Sequence, residues 1–219
     1  MKDVTQSSSG IVEVLEKRLR RDQSVQILVK FGPELDDYRH IRKKLLLSVI
    51  EHNPTDSHAF VNLGNQLSAH ERIEVQLEGR HEMFDKIDLY LEAIRLYNVL
   101  ALAYYNLANQ LSANYTIRVP LKAGHRMFNQ RQLTLEAIRL DNGLSLAYSD
   151  LANQLSANET IKVWLKAGDR MFDKKELYLE AIRLHNGLAE AYFYLGHELS
   201  TGEKIKVQLR DGDQEFTKE

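Results

Sequence analysis

The chain of 219 residues contains no cysteine, so it forms no disulfide bond and no thiolate metal site. It also has no excess of charge of one sign, because 29 basic residues are balanced by 31 acidic ones. A phosphate backbone or an anionic membrane would therefore not be attracted in any general way. No apolar stretch approaches the length of a membrane span, and the first ten residues lack the apolar segment of a signal peptide. These absences predict a cytoplasmic protein that binds neither nucleic acid nor membrane.

Motifs of catalysis are missing as well. The eight histidines are scattered, and no pair has the helical spacing that holds a metal ion. His81-Glu82 is not followed by the second histidine that a zinc hydrolase helix needs. We find no activated Ser or Cys nucleophile and no glycine-rich phosphate loop. The sequence predicts a protein that is not an enzyme and that has no cofactor and no metal site.

What the chain does contain is a repeat with a period of 44 residues, the distance from 91 to 135. The string Leu-Glu-Ala-Ile-Arg-Leu occurs at 91–96, 135–140 and 179–184, with a weaker copy at 47–52. A second string, which begins with Phe or Tyr and ends with Leu, occurs at 60–67, 104–111, 148–155 and 192–199. Copies in this regular order predict a protein built from repeated units.

Each unit combines two periodicities. Both strings have apolar residues three and four positions apart, which predicts two amphipathic helices. Between them, Ile161, Val163 and Leu165 alternate with Lys162, Trp164 and Lys166, as in a strand. The same alternation occurs at 25–29, 73–77, 117–121 and 205–209. Glycine-containing turns such as 166–169 then close a β-hairpin, so the predicted unit is helix, hairpin, helix.

The two helical strings resemble those of a known repeat family. Ala-Glu-Ala-Tyr-Phe-Tyr-Leu-Gly at 189–196 resembles the first helix of a tetratricopeptide repeat (TPR), and 179–186 resembles its second helix and exit turn. The usual period is about 34 residues. The additional residues, about ten, fit between the paired helices at 160–169. Sel1-like repeats tolerate similar periods, but their glycine pattern is not seen. The resemblance covers residues 45–202 and implies a mainly α fold, an α-α superhelix (TPR-like solenoid) with one short β-hairpin per repeat.

We predict a single repeat domain over 1–219. Its parts are an atypical N-terminal repeat at 1–53, regular repeats at 54–98, 99–142 and 143–186, and a last helix with a terminal hairpin at 187–219. Within the atypical repeat we predict a helix at 11–20, a hairpin at 24–35 and a second helix at 38–51. A terminal unit is expected to differ from the others because its outer face meets water.

In tetratricopeptide proteins the first helices line a concave face that binds a peptide, and the resemblance implies a non-catalytic scaffold of this kind with another protein or peptide as its partner. The predicted contact residues are Asn62, Asn65, Tyr105, Asn106, Asn109, Ser149, Asp150, Asn153, Phe193, Tyr194 and His197, and the same register exposes Val61 and Glu190. Asn65, Asn109 and Asn153 are equivalent, so they would form a ladder of amides along a peptide backbone. Alternatively, they end helices or bond within the stack.

The hairpins offer a second surface. Trp164 lies on the polar side of its strand and either contacts a partner or folds onto nearby lysine stems. We expect the hairpin methionines and phenylalanines to pack against the helices, namely Met83, Met127, Met171, Phe84, Phe128 and Phe172. Two other functions stay open: an RNA-binding helical-repeat protein, and a self-assembling structural array that associates through its terminal repeats.

Overall fold

The structure is a computed structural model that describes residues 36–77, 79–209 and 212–217. The chain divides into two compact units, residues 1–98 and 99–219. The described ranges form eight helices and eight strands, and each consecutive pair of strands is a two-stranded antiparallel sheet. None of the described helices is long and apolar enough to cross a membrane. The predicted helix at 11–20 and hairpin at 24–35 lie outside the described residues.

Within the described residues, the first unit contains one helix followed by a helix, a hairpin and a helix. These elements are α1 (Asp36–His52), α2 (Ser57–Gln66), β1 (Ile73–Leu77), β2 (Arg80–Phe84) and α3 (Lys86–Leu96). Helix α1 confirms the helix predicted at 38–51.

The second unit contains two further helix-hairpin-helix groups, then one helix and one hairpin. In chain order they are α4 (Ala101–Ala108), β3 (Thr116–Leu121), β4 (Gly124–Asn129), α5 (Gln130–Leu140), α6 (Ser145–Asn153), β5 (Thr160–Val163), β6 (Arg170–Asp173), α7 (Lys174–Leu184), α8 (Ala189–Glu198), β7 (Lys204–Leu209) and β8 (Gly212–Thr217).

The second helix of each group begins with a capping box. In α7 the Asp173 carboxylate accepts a hydrogen bond from the Glu176 backbone N–H at 2.8 Å, and Glu176 accepts one from the Asp173 N–H at 2.9 Å. Equivalent boxes start α3 and α5, with Asp85/Asp88 and Asn129/Gln132. Each satisfies two backbone donors at the helix start and contributes about 1 kcal/mol. The repeated string therefore begins a helix at the same place every time.

Each hairpin packs on the first helix of its own group through an aromatic pair. In the third group Phe172 of β6 lies 6.3 Å from Tyr148 of α6, ring centroid to ring centroid. The equivalent pairs are Phe84–Phe60, Phe128–Tyr104 and Phe216–Tyr192. Val163 on the partner strand is fully buried beside this contact. The turn is closed by Gly168, whose φ of +118° is accessible to glycine but strained for other residues.

The prediction of a mainly α superhelix is wrong. Of the described residues, 48% are helical and 23% lie in strands, so the chain is a mixture of helices and four small antiparallel sheets. The reason is that each insertion between paired helices is an ordered element with its own buried Val and Phe, not a loop appended to a helical core. The strands thus contribute to the same core that the helices form.

The prediction for the hairpin phenylalanines is confirmed, but that for the methionines is wrong. Phe84, Phe128 and Phe172 are buried, whereas the three methionines are 51% to 52% exposed. Successive residues of a strand point to opposite faces, so a Met directly before an inward-facing Phe must face outward. The methionines of the three hairpins therefore lie on the outer surface.

Candidate functional site

Two of the three equivalent asparagines are hydrogen-bonded within their own helix-hairpin-helix group. The hydroxyl of Tyr90 on α3 donates to Asn65 Oδ1 at 2.8 Å. The hydroxyl of Tyr178 on α7 donates to Asn153 Oδ1 at 2.6 Å in the same way. The spacing is 25 residues in both groups. These bonds favour the alternative in which the asparagines connect the paired helices.

Asn109 has a different environment. The residue at the tyrosine position of its group is Thr134, which is fully buried and donates to the Gln130 carbonyl at 3.1 Å. The Asn109 side chain is instead hydrogen-bonded with Tyr105 and Asp150. The three amides consequently do not share one environment, although a role for them in peptide binding stays a prediction.

Three register positions predicted to face a ligand are buried. Val61, Tyr105 and Ser149 are only 4%, 9% and 3% exposed. They occupy the same position in three first helices, and Tyr105 gives the physical reason: its hydroxyl donates to Asp150 on the next first helix at 2.8 Å. This position faces neighbouring protein, not open solvent. Of the other predicted residues, Asn62, Asn106 and Asp150 are half-buried, whereas Asn65, Asn109, Asn153, Phe193, Tyr194 and His197 are exposed.

Among the predicted contact residues, Asp150 has a carboxylate whose pKa is shifted by its surroundings. Burial raises its pKa, and the negative charge of Glu190 on α8 raises the pKa further, while the hydrogen bond from Tyr105 opposes this only in part. Burial and the bond to Asp150 likewise raise the pKa of the Tyr105 hydroxyl. Within the described residues neither Asp150 nor Glu190 forms a salt bridge. Two carboxylates thus influence each other without a neutralising cation.

Aromatic rings adjoin these carboxylates. Tyr178 stacks on Tyr194 of α8, with ring centroids 6.1 Å apart and an angle of 20° between the ring planes. Burial raises the pKa of Tyr178 to about 12, with smaller contributions that include the charge of Asp150. Phe193 meets Tyr194 edge-on at 5.3 Å and His197 at 4.6 Å. The carboxylates and the tyrosine side chains therefore form one electrostatically coupled cluster.

We call this the Asp150 surface, and its members all belong to the second unit. They are Tyr105, Asn109, Asp150, Asn153, Tyr178, Glu190 and Tyr194. Sequence reasoning missed Tyr178, because attention to first helices leaves out a residue on a second helix. A signal was present, since tyrosine recurs at 90 and 178, in each case 25 residues after an equivalent asparagine.

A separate groove of about 340 Å³ lies along α7. It is lined by Arg170, Glu176, Leu179, Glu180, Arg183 and Lys206. Its charges are already paired, with Arg170 to Glu176 at 2.8 Å and Arg183 to Glu180 at 2.5 Å. Mutual neutralisation leaves this groove with little electrostatic preference for a ligand.

Trp164 follows β5 and is 44% exposed. Its carbonyl oxygen accepts a hydrogen bond from Asn142 Nδ2 at 3.4 Å. Contact with a partner stays a prediction for this residue. In the part of the chain that the structure describes, no group of three His, Asp or Glu side chains is placed to hold a metal ion.

Comparison with known proteins adds no family assignment. No protein-family model matches the chain, and no curated protein sequence is significantly similar to it. The resemblance to tetratricopeptide repeats accordingly stays a prediction that depends on the residues themselves.

Proposed function

We propose that this protein is a non-catalytic scaffold of tetratricopeptide-like helix pairs that binds a positively charged peptide segment of another protein at the Asp150 surface. A cytoplasmic location is part of the proposal, since the chain has no cysteine that would benefit from an oxidising compartment. The resemblance suggested peptide binding by first helices. The contacts of the Asp150 surface add a preference for basic side chains.

The observation that carries the proposal is the pair Asp150 and Glu190. Burial and like charge disfavour the ionised form of Asp150, and its pKa is raised accordingly. A carboxylate kept in such surroundings lowers the stability of the fold, so a functional reason for keeping it is expected. A lysine or arginine from a peptide would neutralise both carboxylates and form charge-assisted hydrogen bonds.

The aromatic members of the surface fit the same ligand. Tyr194 is 40% exposed and stacked on Tyr178, so its position is fixed before any ligand arrives. Tyrosine rings attract cations over their faces and pack against the methylene stems of lysine and arginine. The hydroxyl of Tyr105 holds Asp150 at 2.8 Å, which orients the carboxylate. A preorganised site loses less entropy on binding.

A selection from random linear peptides on the full chain tests the proposal. We expect the bound peptides to be enriched in lysine and arginine. For the best synthetic peptide, the double variant Asp150→Asn/Glu190→Gln should weaken binding at least about tenfold, because both carboxylates lose their charge. The matched control is Asp169→Asn, which removes an exposed carboxylate paired with Lys162 at 2.7 Å. Enrichment of acidic peptides, or equal affinity for the double variant, would contradict the proposal.

RNA binding is not favoured by this surface. Two carboxylates that form no salt bridge within the described residues repel a phosphate backbone, and the balanced composition provides no compensating attraction. A titration with random single-stranded RNA at increasing salt separates the two functions. Tight binding that weakens steeply with salt would overturn our assignment.

A further inference from the structure

The dipeptide Asn-Gly occurs twice in the chain, at 142–143 and 186–187. Both copies lie in the short turn between a second helix and the next first helix, one repeat apart. In both turns a leucine N–H donates to the carbonyl of the residue that ends the second helix. The bonds are Leu144 to Asp141 at 3.3 Å and Leu188 to His185 at 3.1 Å. The two turns therefore share a backbone hydrogen bond and differ in the side chains around the asparagine.

An asparagine that precedes a glycine is a substrate for a reaction of the chain with itself. The backbone nitrogen of the glycine loses its proton and attacks Cγ of the asparagine side chain. A C–N bond forms, the bond from Cγ to Nδ2 breaks, and the amide nitrogen leaves as ammonia. Water then opens the cyclic imide to aspartate or isoaspartate. Glycine favours the attack because no side chain hinders its nitrogen.

In the first turn the asparagine side chain is held away from this reaction. Asn142 Nδ2 donates to the Ile138 carbonyl at 2.6 Å and to the Trp164 carbonyl at 3.4 Å. Asn142 Oδ1 accepts a hydrogen bond from the Lys166 N–H at 2.8 Å. Movement of Cγ to the nitrogen of Gly143 would break these bonds, and each of them contributes to stability.

The glycine nitrogen of the first turn is held as well. The Gly143 N–H donates to Asp141 Oδ1 at 2.9 Å. Loss of its proton would place a second negative charge beside this carboxylate, and like charges oppose each other. Both reacting groups of the first turn are therefore restrained.

The second turn has a histidine in place of the aspartate. The imidazole of His185 lies beside Gly187, since a Cβ added at the glycine would be 3.6 Å from Cε1 and 3.7 Å from Nε2 of the ring. A neutral imidazole accepts a proton, so His185 favours the step that Asp141 opposes. Asn186 is exposed, and among the described residues its side chain has no hydrogen bond.

We propose that Asn186 is a site of spontaneous deamidation, assisted by His185, and that Asn142 is protected from the same reaction by its contacts. Each conversion consumes one water and releases one ammonia. The product adds a negative charge in the turn that leads into α8, and isoaspartate also lengthens the main chain there by one carbon. This turn joins α7 to α8, whose contact includes the stack of Tyr178 on Tyr194. The modification does not depend on the peptide binding proposed above.

The test follows the full chain during incubation at neutral pH and physiological temperature. Trypsin releases residues 140–162 and 184–204 as separate peptides, each with one Asn-Gly. We expect mass spectrometry to show replacement of NH2 by OH at Asn186 at least about tenfold faster than at Asn142, because reaction at Asn142 must first break its hydrogen bonds. In synthetic peptides of the same two sequences, which lack these contacts, the difference should largely disappear.

Two variants test the environment of the second turn. His185→Asp copies the arrangement of the first turn and should slow the conversion of Asn186 about tenfold. Gly187→Ala should nearly abolish it, because the methyl group hinders the nitrogen. The added Cβ makes only ordinary contacts with His185, so this variant should fold, which circular dichroism verifies.

Three results would overturn the proposal. The first is no conversion of Asn186 in the wild-type chain. The second is conversion of Asn142 at the same rate as Asn186, which would mean that the contacts of the first turn do not protect. The third is an unchanged rate in His185→Asp, which would mean that residue 185 has no influence on the reaction.

Discussion

The ring of Tyr90 lies directly over the Cα of Gly64, where an added Cβ would be 2.6 Å from Cε1 and 3.1 Å from Cζ. Tyr90 is 2% exposed, and its hydroxyl donates to the neighbouring Asn65. The glycine therefore sets the distance between α2 and α3. Its equivalents in α4 and α6 are Ala108 and Ala152. At position 64, by contrast, the ring of Tyr90 leaves no room for a methyl group.

We expect Gly64→Ala to lower the free energy of unfolding by about 1–3 kcal/mol, since a buried tyrosine ring must move. Gly196→Ala is the matched control, because it makes the same change in an equivalent helix with open space around it. There the better helix propensity of alanine should add up to about 1 kcal/mol. Urea unfolding followed by circular dichroism measures both. Equal effects of the two substitutions would mean that the close contact with Tyr90 has no energetic weight.

Buried tyrosine hydroxyls provide a second comparison. The hydroxyl of Tyr178 donates to Asn153, whereas that of Tyr148 is buried and has no hydrogen-bond partner among the described residues. Tyr178→Phe should cost about 0.5–1.5 kcal/mol, the usual net value of a hydrogen bond. Tyr148→Phe should be neutral or stabilising, because it removes an unsatisfied polar group. Thermal unfolding of both variants decides the matter, and a greater loss for Tyr148→Phe would be the contrary result.

The sequence predicted the elements well because their signals are local. Capping residues, three- and four-residue apolar spacing, and strand alternation lie within a few positions of one another. Asp173 and Glu176 start α7 regardless of what packs against it. Strand alternation also predicts that the hairpin methionines face outward. In the last hairpin Glu215 stands where Met171 stands in the one before it.

The environment of the candidate site was not predictable in the same way. Tyr105 and Asp150 are 45 residues apart, and their hydrogen bond depends on how two first helices are placed. A helical register gives the direction of a side chain but not the neighbour that covers it. Tyr105 was therefore expected to be exposed, and Asp150 was not singled out from the residues around it. The stack of Tyr178 on Tyr194 likewise depends on packing between α7 and α8.

A repeated loop feature is expected to make the fold sensitive to acid. After three of the first helices, a glutamate accepts a hydrogen bond from the backbone N–H of the serine three residues earlier and pairs with a basic residue of the helix before. The sets are Glu71 with Ser68 and Lys43, Glu159 with Ser156 and Arg131, and Glu203 with Ser200 and Lys175. The bond to Lys43 lowers the pKa of Glu71 and the bond to Lys175 lowers that of Glu203, whereas the pKa of Glu159 is lowered first by the bond from the Ser156 N–H and then by that from Arg131.

Since these pKa values are lower in the folded than in the unfolded chain, the carboxylates stabilise the fold above the unfolded value of 4.5. That stability is lost as the pH falls through the folded pKa values. We expect the melting temperature to drop below pH 4.5, and Glu71→Gln to make this part of the profile flatter. Glu51→Gln, an exposed glutamate at the end of α1, is the control. An unchanged profile for Glu71→Gln would exclude a contribution from this loop.

The pKa of Asp150 is raised, not lowered, so this carboxylate affects stability in the opposite direction. Its ionised form is disfavoured in the fold, so its cost is absent below the unfolded pKa, grows as the pH rises from the unfolded to the folded pKa, and is complete at neutral pH. Asp150→Asn keeps an oxygen that accepts from Tyr105 but carries no charge. At pH 7 this variant should be more stable than the wild type, by less than about 1 kcal/mol because the site is partly screened by solvent. Below the unfolded pKa the difference should vanish.

Asp169→Asn, which removes an exposed carboxylate, should show no such gain in urea unfolding at either pH. A loss of stability in Asp150→Asn at neutral pH would mean that the carboxylate supports the fold, and the argument for its functional role would fail with it.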